Sequence, residues 1–143
     1  MTGDQVVAQA REWAGVRWRH QGRSMRGVDC AGLVISVGRV LGVLEFDTTD
    51  YGPQAADESM LTLCRQHLLP IATSQAKPGD IPVMRFGSNR HIGIFGDYPG
   101  GDLSLIHAFT GARKVVEHRF SEDWLRSHGA SLIGAFRFKG ISA

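Results

Sequence analysis

Within residues 1–70 three stretches repeat apolar side chains every three or four positions, and beyond residue 80 the pattern changes to short β-like runs. Val6, Val7, Ala10, Trp13 and Ala14 share one face of a helix over 3–14, which Thr2 or Asp4 can cap and Gly15 can end. Residues 15–28 have no such period and read as an extended or looping segment. Leu33, Val34, Val37 and Leu41 then predict a second helix over 29–41, stopping near Gly42. Residues 45–57 are acidic and rich in turn formers, including Tyr51-Gly52-Pro53, and read as a surface excursion. Met60, Leu61, Cys64 and Leu68 place a third helix over 57–68, with Pro70 just beyond it. Lys77-Pro78-Gly79-Asp80 is a turn, after which strands are expected at about 81–86, 91–96, 103–109, 113–118 and 131–138, with a short helix over 121–128. Pro99-Gly100-Gly101-Asp102 makes a tight link between the second and third strands. Helices first and an antiparallel sheet afterwards is the α+β arrangement.

The chain has 143 residues, which fits one domain over 1–143 with a single core. Its 43% hydrophobic and 21% charged content is that of a globular protein, and 18 glycines suit many turns and close backbone approaches. No apolar run reaches the roughly 18 residues needed to span a bilayer, and residues 1–20 carry charges where a signal peptide needs an apolar core. Neither a membrane nor export by a leader of its own is therefore expected. The net charge is only +2, although arginines gather at 11, 17, 19, 23 and 26. No recognition motif accompanies them, so a rim attracting carboxylates, or a solvated face, is expected in place of a nucleic-acid surface. Two cysteines make no disulfide framework, a single bridge between them stays open, and no CxxC pair suggests a metal site.

The chemistry is expected at Asp29-Cys30. Asp29 can accept hydrogen bonds as N-cap, which puts Cys30 in the first helical turn. The positive end of the helix dipole favours thiolate there, so the thiol pKa is expected below its usual ~8.5. A lone cysteine is also commonly a small buried apolar residue, the reading given to Cys64. A thiolate nucleophile needs a base and a group to orient it. His91 opens the strand His91-Ile92-Gly93-Ile94-Phe95, and His107 lies 16 residues later. On adjacent strands the two rings would stand side by side, His107 holding His91 in the tautomer that faces Cys30. Spacing alone also permits two hydrogen-bonded structural histidines.

The order Trp18-Arg19-His20-Gln21-Gly22, Asp29-Cys30-Ala31-Gly32-Leu33-Val34, Pro78-Gly79-Asp80, His91-Ile92-Gly93-Ile94-Phe95 and Ile106-His107-Ala108 resembles the NlpC family of cell-wall peptidases, over about residues 5–138. The resemblance implies a papain-like fold with N-terminal helices packed on a five- to six-stranded antiparallel sheet. It implies Cys30 as nucleophile, His91 as general base, His107 as the orienting residue, and no metal or organic cofactor. Asp29 matches a position near the substrate's amino group. Trp18 stands where the family usually has tyrosine, twelve residues before the cysteine, in a substrate-binding position whose oxyanion donor the indole supplies differently. The implied activity is hydrolysis of amide bonds in peptidoglycan stem peptides, between D-glutamate and the diamino acid, through an acyl-enzyme. An N-acetylmuramoyl-L-alanine amidase or acyltransferase with the same triad, and a structural tail-tip protein without turnover, are the alternatives. His20-Gln21-Gly22-Arg23 resembles the phage branch, found in tail proteins of long-tailed phages and gene transfer agents. That implies tail hub or baseplate partners and action in the periplasm of a recipient cell. His20, His67, His118 and His128 match no motif and are expected to be structural or on the surface.

Overall fold

The computed structural model describes residues 1–51 and 58–142. The part of the expected excursion at 52–57, and the first residue of the expected third helix, lie outside the described residues. Helix α1 (Gly3–Arg11) is capped reciprocally: the Thr2 hydroxyl accepts from the Gln5 N–H at 3.4 Å, while the Thr2 N–H donates to Gln5 Oε1 at 2.8 Å. Val6, Val7, Ala10 and Trp13 are buried. Ala14 is exposed, because the helix ends at Arg11 and the chain turns through Gly15 at φ +83°.

Inside the segment expected to loop, β1 (Arg23–Ser24) and β2 (Gly27–Val28) pair as a small antiparallel ribbon. Helix α2 (Cys30–Val40) follows at once. It is buried along most of its length, from Gly32 to Gly38, and packs on α1 and against later strands. A Cβ at Gly32 would collide with the Gly22 carbonyl oxygen, so only glycine lets the ribbon loop lie on the first turn of α2. Helix α3 (Ser59–His67) buries Leu61 and Cys64, and both cysteines are free.

The remaining strands are β3 (Leu69–Ile71), β4 (Ile81–Phe86), β5 (Asn89–Ile92), β6 (Ile94–Tyr98), β7 (Asp102–Phe109), β8 (Lys114–Arg119) and β9 (Ala130–Arg137), with helix α4 (Glu122–Ser127) before the last. They form two antiparallel sheets, β3-β9-β4-β5 and β6-β7-β8, where one sheet of five or six strands was expected. The division falls at Gly93. The predicted strand over 91–96 is β5 and β6, since a Cβ at Gly93 would stand 2.9 Å from the Ile106 carbonyl oxygen, and the Gly93 N–H turns away to Pro82 O at 3.3 Å. His91 and His107 therefore stand on different sheets, brought together across this break.

One buried ion pair ties the start of β4 to the end of β9. Arg137 donates to the Asp80 carboxylate through Nε at 2.7 Å and Nη2 at 2.8 Å, and the Lys77 N–H donates to Asp80 Oδ2 at 2.8 Å. Asp80 is 2% exposed. Among the described residues no helix is long and apolar enough to cross a membrane.

Candidate active site

Asp29 caps α2 and organises everything around Cys30. Its Oδ1 accepts from the Gly32 N–H at 2.7 Å and from Arg23 Nη1 at 3.3 Å; its Oδ2 accepts from the Gln21 N–H and the Tyr51 hydroxyl, each at 2.7 Å. Four donors fill the lone-pair positions of one carboxylate. Asp29 is 3% exposed, so a substrate ammonium reaches it only by displacing one of them. Arg23 also donates to Thr48 O at 2.6 Å and to the Tyr51 hydroxyl at 2.8 Å, which fastens residues 48–51 over the helix start. Burial, then the bond to Asp29, pushes the Tyr51 hydroxyl pKa up and keeps it a donor.

Cys30 is half-buried at the floor of a groove of about 420 Å³ that His91 and Trp18 also line. The groove continues into an apolar arm formed by Val34, Leu44, Phe46, Met60 and Leu63. Trp18 is pinned beside it by its backbone N–H, which donates to Arg113 O at 2.9 Å.

The thiol departs from expectation. Burial, and next the Asp29 carboxylate, push it up to about 11, against the N–H groups of Ile92, Ala31 and Cys30 itself, which favour the thiolate. The helix end does not win because a dipole contributes only about 0.3 to 1 kcal/mol, less than desolvating a charge costs, and the cap that builds the helix start is itself an anion. Burial likewise pushes His91 down to about 4. Each group alone prefers to be neutral, so a charged pair forms only where the two stabilise one another.

His91 Nε2 lies 2.7 Å from His107 Nδ1. His107 is fully buried, and burial followed by the neighbouring histidines holds its pKa far below the ordinary value. The chain of rings continues, since His107 Nε2 is 2.8 Å from His118 Nε2, and His118 Nδ1 is 2.9 Å from the Arg119 carbonyl oxygen. The sequence reading left His118 outside the site. Its signal was the β7–β8 register: His107 faces Val116, and His118 is the next residue of β8 on that face. His20 lies edge-on to Tyr51, His67 stacks on Phe46, and His128 stacks on Trp124.

Among the described residues no group of three or more His, Cys, Asp or Glu could hold a metal. Two nitrogens on one tetrahedral zinc, each at about 2.0–2.1 Å, stand roughly 3.3 Å apart. The histidine contacts of 2.7 and 2.8 Å are too short for that and suit a shared proton.

The family model described as NlpC/P60 matches residues 15–130, which takes in α2, Cys30 and the linked rings of His91, His107 and His118. The chain belongs to the NlpC/P60 family. Its architecture is the papain-like one. A relative in Escherichia coli K12, "Murein DD-endopeptidase MepS/Murein LD-carboxypeptidase", is 27% identical over 124 residues, 86% of this NlpC/P60 chain. The chain spans 58% of that protein's length. The solved NlpC/p60 domain of the peptidoglycan hydrolase SagA superposes with a TM-score of 0.60 at 23% identity, covering 95% of this chain and 98% of that one. An N-acetylmuramoyl-L-alanine amidase from Bacteroides uniformis superposes at 0.64 with 13% identity, covering 96% and 98%, which is likeness of fold.

Proposed function

We propose that this domain hydrolyses amide bonds in peptidoglycan stem peptides, with Cys30 as nucleophile, His91 as general base and acid, and His107 as the group that orients His91. The observation that carries the reading is the His91 Nε2 to His107 Nδ1 contact of 2.7 Å beside Cys30 in one groove, since it leaves His91 Nδ1 as the nitrogen able to take a proton. The thiol loses its proton to Nδ1 as sulfur attacks the peptide carbonyl. The tetrahedral oxyanion collapses as the C–N bond breaks, and the leaving amine takes the proton from His91. Water, deprotonated by His91, then hydrolyses the thioester to a carboxylate and restores the thiol. The Cys30 N–H, at the start of α2, is a donor for the oxyanion, where one preorganised donor contributes ~2.7 to 4 kcal/mol. Trp18 lines the same groove and contacts the acyl side of the substrate. Asp29 contributes through the four donors it holds in place.

Family membership and the murein endopeptidase relative support peptidoglycan as substrate. The bond we assign is that between D-glutamate and the diamino acid. The His20–Arg23 stretch supports a carrier that is the tail of a phage or gene transfer agent, docked on hub or baseplate proteins and acting in the recipient's periplasm.

Digestion of purified sacculi, with the released muropeptides weighed, tests the reading. Wild type should leave L-alanyl-D-glutamate on muramic acid, a chelator should change nothing, and Cys30→Ala should release no muropeptide. Opened cross-links with intact stems would move the cut to the D,D-bond, and free stem peptides would make it an amidase. Activity that is lost to a chelator and restored by zinc would overturn the thiol mechanism.

A further inference from the structure

We propose that His118 is a positioning residue, which through His107 fixes the tautomer of His91 and keeps the His91 Nδ1 lone pair free for the Cys30 proton. The proposal rests on the reading of Cys30 and His91 as nucleophile and base. It follows from the direction of one hydrogen-bonded chain. The Arg119 carbonyl can only accept, so His118 Nδ1 carries a proton, and the Nε2 of a neutral His118 is an acceptor. His107 Nε2, 2.8 Å away, must then be the donor, which leaves His107 Nδ1 without a proton. His91 Nε2 donates to that nitrogen at 2.7 Å, and the remaining His91 nitrogen, Nδ1, holds a lone pair.

The opposite direction would leave His91 unable to act as a base. If His118 presented N–H at both nitrogens, His107 Nε2 would have to accept, His107 Nδ1 would carry the proton, and His91 Nε2 would accept in turn. His91 Nδ1 would then already hold the proton it must take from the thiol. A backbone carbonyl on β8 thus sets the state of a base on β5 through two intervening rings. Packing holds the rings in register: His107 stacks on Phe109 with centroids 5.0 Å apart, and Trp124 lies 4.6 Å from His118. His118 is not among the residues that line the groove, and its link to His91 runs through His107.

Long-range proton–nitrogen correlation spectra of the histidine-labelled protein test this at neutral pH, with kcat and KM for a stem peptide measured alongside. Wild type should show His118 as the Nδ1–H form, with His107 and His91 as Nε2–H forms. An Nε2–H form or an imidazolium at His118 would overturn the proposal whatever the variants do. In His118→Leu, which offers no acceptor, the His91 signal should spread over both tautomers. kcat should fall about 10- to 100-fold with KM within about twofold, the size of loss seen when the outer partner that orients a metal-bound histidine is removed. His118→Gln supplies a side-chain oxygen that accepts from His107 Nε2–H, and should keep the His91 tautomer and recover kcat to within about threefold of wild type. A His118→Leu protein with wild-type tautomers and kcat would overturn the proposal. Should that variant melt early, the wild-type spectrum and His118→Gln still decide. If wild type hydrolyses nothing, the peptidase reading fails while the tautomer pattern continues to test His118.

Discussion

His91→Ala should cost about 10²- to 10⁴-fold in kcat and, in the same protein, leave Cys30 as slow toward iodoacetamide as the buried Cys64. Both effects have one cause. With no imidazole to accept its proton, the thiol is left with the burial and the Asp29 charge that in the native protein push it up to about 11. At pH 7 that leaves on the order of one thiolate in 10⁴, against a few in 100 for an ordinary cysteine. Cys64, pushed by burial to about 12, supplies the internal reference. In the native protein the pair should stay competent across neutral pH. His91, held down to about 4, takes up an inhibitory proton only in acid, so kcat/KM should stay level through pH 7 and fall toward pH 4. Wild-type alkylation rates in His91→Ala would mean that the helix start activates the thiol unaided.

Asp80→Ala should lower stability by roughly 3 to 5 kcal/mol, on the order of 10 °C in Tm, with kcat per folded molecule unchanged. The loss is large because Arg137, whose side chain is 16% exposed, would keep its charge with no partner, and the Lys77 N–H would lose its acceptor. Two parallel bonds at 2.7 and 2.8 Å lock the join between β4 and β9, and β4 also carries β5 and His91. Adding Arg137→Met should restore part of the loss, since breaking a buried pair costs more than removing both charges. Thermal melts of the two single variants and the double check this. An Asp80→Ala protein within 1 kcal/mol of wild type would show that the pair is solvated and does little.

The helix that presents Cys30 was legible because its determinants are local: a period of three and four, and an Asx cap immediately before it. The strands around His91 and His107 were legible as short β-like runs, and the Pro99–Asp102 link as turn chemistry. What the pattern could not carry is set by contacts distant in sequence. Gly93 reads as one more small residue until β7 passes behind it and divides the strand in two. His118 gains its meaning only from the register of β7 on β8. The direction of the Cys30 shift was misread for a related reason: the helix dipole is visible in sequence, whereas desolvation depends on what folds over the thiol. Tyr51 donating to Asp29 is likewise a contact across 22 residues that no spacing rule announces.

Acid-quenched turnover of a defined stem peptide, followed by mass mapping of the protein, tests the central claim most directly. The account predicts an adduct with the mass of the acyl fragment on the proteolytic peptide that carries Cys30, labile to hydroxylamine as a thioester is, and absent from Cys30→Ala, which should not turn over. Undiminished turnover by Cys30→Ala, or an adduct mapped to any other residue, would contradict it.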